Sequence, residues 1–208
     1  VQRLMCSMAS ISLQKLRGGM LSEKRDFPRL TQASGKLAKS PLWIDDTPSI
    51  SVMALRAKAR RMKKQHGIGL IAVDYLQLMR SENGRGRDTR ETEVADISAS
   101  LKALAKELAV PVIALAQLNR GPEQRAGSHR PRMSDLRESG AIEQDADVVG
   151  LLTRDAYYAE NAEERDDVAG KATLIIAKQR NGETGDVPLT FLPELMKFEN
   201  RAFEEESG

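Results

Sequence analysis

The chain is 208 residues long, enough for one domain with a sizeable core, and its 30% charged and 40% hydrophobic residues predict a soluble globular protein. The single cysteine, Cys6, excludes an internal disulfide and suits a reducing compartment. No run approaches the ~18 apolar residues of a membrane span, and the first ten residues lack the order of a signal peptide. A formal net charge of +2 leaves nucleic-acid binding to local basic loops rather than to a global field.

Taken in order, Val1 to Ala9 is apolar at helical spacing and no capping residue precedes it, so with no initiating Met the chain reads as a fragment. Cys6 falls in this stretch and is expected as a buried thiol. Gly18-Gly19 breaks the pattern. Ser22 to Lys39 predicts an amphipathic helix with Phe27, Leu30 and Leu37 on its inner side. Pro41 to Asp46 reads as a short strand ending in two acids. Ser49 or Ser51 caps the next helix, which runs to about Gln65 with Val52, Leu55, Ala59 and Met62 at helical spacing. It also carries Arg56, Lys58, Arg60, Arg61, Lys63 and Lys64, which suit a solvated outer face or a nucleic-acid patch. Gly67 ends it.

Gly69 to Asp74 follows as a short apolar run closed by a carboxylate. Such a run predicts a strand buried on both faces, as in parallel sheets covered by helices. Ser81 to Arg90 is glycine-rich, basic and nonperiodic, a surface loop. Thr92 to Ala109 is an amphipathic helix with Val94, Ile97, Leu101, Leu104 and Leu108 inside. Val110 to Gln117 is a second buried strand, ending in a polar residue. Asn119 to Pro131 is again a basic loop, and Asp135 to Asp145 is partly helical. Val148 to Thr153 is a strand, and Tyr157 to Gly170 an acidic excursion. Asn181-Gly182 between Ala172–Lys178 and Val187–Phe191 signals a hairpin. Glu199 to Gly208 is a charged tail. The order predicts an α/β sheet, parallel in its core with an antiparallel C-terminal hairpin.

Three positions suit phosphate chemistry. Ligands of open α/β sheets bind at the carboxyl ends of the strands, where Asp74 and Gln117 stand. A carboxylate there suits hydrated magnesium, and a glutamine suits orienting water or sensing a γ-phosphate. Strand alternation puts Lys178 and Arg180 on one face just before the turn. Two cations on one rigid element suit a triphosphate, with the arginine as a finger, or else an exposed basic edge. No G-x-x-x-x-G-K-[ST] loop occurs anywhere in the sequence, so nothing of that kind cradles a β-phosphate.

These residues fall in motifs that resemble a family. Ile71-Ala-Val-Asp-Tyr-Leu-Gln-Leu78, Ser100-Leu-Lys-Ala-Leu-Ala-Lys-Glu-Leu108, Pro111-Val-Ile-Ala-Leu-Ala-Gln-Leu118, Ser134-Asp-Leu-Arg-Glu-Ser-Gly140, Ile142-Glu-Gln-Asp-Ala-Asp-Val-Val149 and Ile176-Ala-Lys-Gln-Arg-Asn-Gly182 are similar, in order, to the motifs of the bacterial replicative DNA helicases of the DnaB family. The resemblance implies a RecA-like P-loop NTPase sheet whose first strand and phosphate loop lie upstream of Val1. It implies residues 1–198 as a partial motor domain and 199–208 as a tail.

It further implies ATP and Mg2+ as cofactors and Asp74 as the Walker B aspartate on the metal. Gln117 would link nucleotide state to the DNA loops. Lys178 and Arg180 would reach a neighbouring subunit's ATP, with Arg180 as the finger, and Arg3 would lie near the ATP site. Arg137, Glu138 and Gly140 would hold the phosphate backbone of single-stranded DNA. Aromatic residues at 4% leave little base stacking, in keeping with backbone binding. A cytoplasmic homo-hexamer with primase and loader partners follows from the same resemblance. Two other readings stay open: a non-catalytic remnant that only oligomerises or binds DNA, and a RecA-like recombinase or regulatory ATPase. The 208-residue chain alone is expected to release no phosphate from ATP above background in a colorimetric assay; measurable turnover would require a phosphate cradle of another kind.

Overall fold

The computed structural model describes residues 1–81, 89–119, 121–125, 129–136, 140–159 and 161–201, with only the backbone of Gln124. Its helices are α1 (Gln2–Ala9), α2 (Leu13–Arg17), α3 (Asp26–Lys39), α4 (Val52–His66), α5 (Arg90–Leu108), α6 (Gly121–Gln124), α7 (Gly140–Asp145) and α8 (Ala162–Asp167). Its strands are β1 (Ile71–Val73), β2 (Val112–Ala114), β3 (Val148–Arg154), β4 (Lys171–Gln179), β5 (Gly185–Leu192) and β6 (Lys197–Asn200). β1 and β2 pair in parallel, with Ile71 opposite Val112 and Val73 opposite Ala114. The other strands form one sheet in the order β3-β4-β5-β6, closed by the antiparallel β5–β6 pair. The α/β class, the parallel pairing and the antiparallel C-terminal strands match the sequence reading. β6 goes beyond it, drawing Glu199 and Asn200 of the expected tail into the sheet.

The chain divides into two compact units, one of residues 1–44, 152–175 and 186–208 and the other of 45–151 and 176–185. In the first, α1 packs on α3 around Ala9, Ile11, Leu30 and Ala33. Cys6 is buried here as expected, and burial pushes its thiol pKa up. α3 starts at Asp26, later than expected, because the Asp26 carboxylate accepts the Ser22 N–H at 2.9 Å and turns the chain first. Its buried positions are Asp26, Leu30 and Ala33, so Phe27, one step round the helix, is 52% exposed rather than inward. Pro41 to Asp46 joins no ladder and is irregular, with Leu42, Trp43 and Ile44 exposed. Apolar residues alone do not make a strand; it needs a neighbour to take its backbone bonds. Gly170, at φ +71°, lets its carbonyl accept the Phe191 N–H at 2.8 Å, and an added Cβ there would meet the Phe191 carbonyl at 3.3 Å.

The second unit holds the larger core. Val94, Ile97, Leu101 and Leu104 of α5 pack with Ile71 and Val73 of β1, Leu76, Met79, Val110 and Ala59 of α4. Ser51, not Ser49, caps α4, its Oγ accepting the Ala54 N–H at 3.2 Å, and Gly67 at φ +64° closes the helix as expected. Thr89 caps α5, whose first residue is Arg90. Of the loop expected over Ser81 to Arg90, residues 82–88 lie outside the described residues.

β1 is not buried on both faces. Ile71 and Val73 are buried, whereas Ala72 and Asp74 between and beyond them are exposed, as are Leu70, Ile113 and Leu115. Helices α4 and α5 cover one face of this small parallel pair, and no described element of the unit covers the other. Ile97→Ala should therefore destabilise this unit by about 2–5 kcal/mol, and Ser51→Ala by about 1 kcal/mol, both read as a lower urea midpoint of helical circular dichroism.

Candidate nucleotide and DNA site

The parallel pairing brings Asp74 and Gln117 to the same end of β1 and β2. Leu115 N–H donates to Val73 O at 2.9 Å and Leu76 N–H to Leu115 O at 2.8 Å, so the ladder continues past both strands. The chain then turns through a short 3-10 helix, Leu76–Leu78. Asp74 sits at this turn with its side chain on the exposed face.

Gln77 grips the other tip. Its Nε2 donates to Gln117 O and its Oε1 accepts Gln117 N–H, both at 3.3 Å. The side chain thus imitates one more strand residue beside β2 and holds the Gln117 main chain while the Gln117 side chain faces solvent. Arg90, opening α5, donates to Gln77 O and to Glu93. Burial pushes the Glu93 carboxyl up, but the Ser81 N–H and Arg90 outweigh it and hold the pKa below its ordinary value. The sequence reading assigns Gln77 no role; the only signal it offers is a polar side chain three residues past a strand tip.

Beyond Gln117 the chain enters a second constellation around Asp135, a carboxylate only 3% exposed. Asn119 N–H donates to Asp135 O at 2.7 Å, Arg132 N–H to Asp135 Oδ2 at 2.7 Å, and the Arg125 guanidinium to Asp135 Oδ1. Leu118 and Leu136 form an isolated antiparallel bridge. Asp135 so ties the chain leaving Gln117 to the stretch that leads towards the expected DNA contacts. Of those, Arg137 and Glu138 lie outside the described residues, and Gly140 is the first residue of α7.

Lys178 and Arg180 reach a common stretch, as alternation predicts. Lys178 Nζ donates to Glu143 O at 2.5 Å and to Gln144 O at 3.4 Å, carbonyls in the last turn of α7. Arg180 N–H donates to Asp147 O at 2.8 Å, and its Nη1 lies 3.5 Å from Asp147 Oδ1. Lys102 of α5 donates to the other carboxylate oxygen, and this bond above all holds the Asp147 pKa below its ordinary value. Arg3 lies on the exposed side of α1, in the other compact unit. On α4, Arg56 and Arg60 both pair with Glu107, Lys58 with Asp45 and Thr47, and Lys63 with Ile68 O. The Lys58 bond above all lowers the Asp45 carboxyl to about 2.

Residues 1–200 match the sequence profile of the DnaB-like helicase C terminal domain. The chain belongs to that family. It is 51% identical over 200 residues to the replicative DNA helicase DnaC of Bacillus subtilis, covering 96% of this chain and 42% of that protein. It is also 51% identical over 207 residues to the replicative DNA helicase DnaB of Geobacillus stearothermophilus, covering 99% of this chain and 44% of that one. A solved DnaB-like replicative helicase, studied with primase, superposes at TM-score 0.86 and 40% identity over 97% of this chain and 48% of its own. A solved ATPase domain superposes at TM-score 0.85 and 39% identity, over 97% and 69%. The DnaB-like chain thus spans less than half the length of the curated relatives it matches.

No helix among the described residues is long and apolar enough to cross a membrane. Nor do the described residues hold a cluster of three or more His, Cys, Asp or Glu placed for a metal ion. Magnesium does not need one, since it takes one or two carboxylates with waters and phosphate oxygens, and the exposed Asp74 carboxylate fits that demand. Gln77→Ala should speed amide hydrogen exchange at Gln117 with little change at Val73, read by residue-resolved NMR.

Proposed function

We propose that the chain is the distal part of a replicative helicase motor, residues 1–200, through the end of β6, forming a partial RecA-like domain. The observation that carries this reading is the placement of Asp74 and Gln117 at one end of a parallel strand pair, in a chain of the DnaB-like family. The parent protein is a cytoplasmic ATP-dependent DNA helicase, hexameric on single-stranded DNA, with primase and loader partners. The primase partner is supported by the solved DnaB-like helicase, which interacts with primase; the other properties rest on the family resemblance.

In this reading Asp74 positions magnesium beside the phosphates of ATP. When bound, the ion neutralises charge that builds on those phosphates. Gln117 senses the γ-phosphate, and the Gln77 clamp and the Asp135 constellation connect its main chain to the segment of Arg137, Glu138 and Gly140, which holds DNA phosphates. Lys178 and Arg180 serve a neighbouring subunit's ATP, the planar fork of Arg180 answering charge in the transition state. Arg3 is assigned to the nucleotide's surroundings. A non-catalytic remnant is the second reading, favoured by one observation: no phosphate-loop motif occurs in the sequence.

A chimaera in which residues 1–200 replace the matching part of the Bacillus subtilis relative separates the two. It should hydrolyse ATP with DNA stimulation. Arg180→Ala should lower turnover by about a thousand-fold or more while equilibrium ATP binding persists. An inactive but folded and hexameric chimaera would favour the remnant, and normal turnover in Arg180→Ala would remove the finger assignment.

A further inference from the structure

We propose that Asp147, fixed by Lys102, is the positioning residue of Arg180. The inference rests on reading Arg180 as the group that reaches a neighbouring subunit's phosphates, and it names what aims that group.

Asp147 grips Arg180 twice. Its carbonyl takes the Arg180 N–H at 2.8 Å, which sets the Cα where β4 ends and β3 is about to begin. Its carboxylate faces the guanidinium, Oδ1 lying 3.5 Å from Nη1. A free arginine samples many rotamers, and ordering its long side chain for a reaction is costly in entropy. The contact engages one nitrogen of a planar fork with five donors, and the Arg180 side chain remains 65% exposed. The guanidinium is therefore directed without being consumed, and the rest of the fork is open to a phosphate.

Asp147 is itself 56% exposed, so without a brace it would not direct anything. Lys102 supplies the brace, bonded to Oδ2. Its side chain is only 22% exposed, and its neighbours Leu101 and Leu104 on α5 lie in the core. The path runs from core helix to Lys102, to Asp147, to Arg180: a reacting group, the group that orients it and the support behind both. Lys102 does a second thing. It compensates the carboxylate next to a site meant for an anion. Asp147 is held below its ordinary carboxyl pKa chiefly by the Lys102 bond, with Arg180 and Lys178 adding to it, so the arrangement persists across neutral pH. Lys178, on the same sheet end, is tethered to the carbonyls of Glu143 and Gln144 just upstream, which gives the cation pair a common footing on 143–147.

The experiment compares Asp147→Asn, Lys102→Gln and Arg180→Ala in the same full-length chimaera, with hexamer formation and thermal midpoint as controls. We expect Asp147→Asn to lower kcat about ten- to a hundred-fold with KM for ATP within about two-fold, since a positioning residue acts on turnover rather than ground-state binding. Lys102→Gln, which does not touch Arg180, should lower kcat in the same direction by less. In the 208-residue chain itself, NMR of the arginine guanidiniums should show restricted rotation at Arg180 that is lost in both variants.

Unchanged kcat in Asp147→Asn and Lys102→Gln, with Arg180→Ala inactive, overturns the positioning role and leaves the finger intact. Normal kcat in Arg180→Ala overturns the reading beneath it. Should Asp147→Asn fail to assemble, Lys102→Gln decides: a fall in kcat with an unmoved thermal midpoint supports the proposal, and an unchanged kcat ends it.

Discussion

The burial of one face of α5 is the constraint on which the second unit depends. Val94 and Ile97 are fully buried, and Leu101 and Leu104 nearly so, against β1, Val110 and α4. At 19 residues the helix is about 28 Å long, and its polar side chains reach Gln77, Asp147 and α4. Arg90 at its start holds the Gln77 carbonyl behind the Gln117 clamp. Lys102 in its middle braces Asp147. Glu107 near its end gathers Arg56 and Arg60 from α4. The hydrophobic stripe fixes the rotation of the helix, and that rotation decides which polar residues face which loop.

Hydrogen bonds at the tips do a different kind of work. β1 and β2 are three residues each, too short to hold the residues after them by ladder bonds alone. Gln77 extends the ladder with a side chain, while beyond Gln117 the Asp135 carbonyl takes the Asn119 N–H and its buried carboxylate holds Arg125 and the Arg132 N–H. Both give order to loops without turning them into strands. Side-chain clamps of this kind are weaker and more local than a continued sheet.

The exposed cation pairs contribute direction more than stability. Arg56–Glu107, Lys58–Asp45 and Arg180–Asp147 are all substantially exposed, so each adds little to the free energy of folding. For α4 they pair Arg56, Lys58 and Arg60 with the chain's own acids. For Arg180 the same weak pairing sets an aim.

The sequence by itself determined the α/β class, α4 with its closing Gly67, the buried stripe of α5, the C-terminal strands and the family, because period, helix-ending glycine and motif order are local properties. It also placed Asp74 and Gln117 at strand tips, and Lys178 with Arg180 on one face. Tertiary structure alone decided the rest. Pro41 to Asp46 has strand composition but joins no ladder among the described residues, so it is irregular. β1 reads as buried on both faces because Leu70, Ala72 and Ile113 are apolar, yet burial depends on what covers a face, and among the described elements of the unit α4 and α5 cover one face alone. Phe27 turns outward because Asp26, Leu30 and Ala33 take the buried face of α3. Gln77, Lys102, Asp135 and Asp147 gained their places only when contacts 10 to 45 residues apart in sequence closed, and no local pattern encodes such a distance.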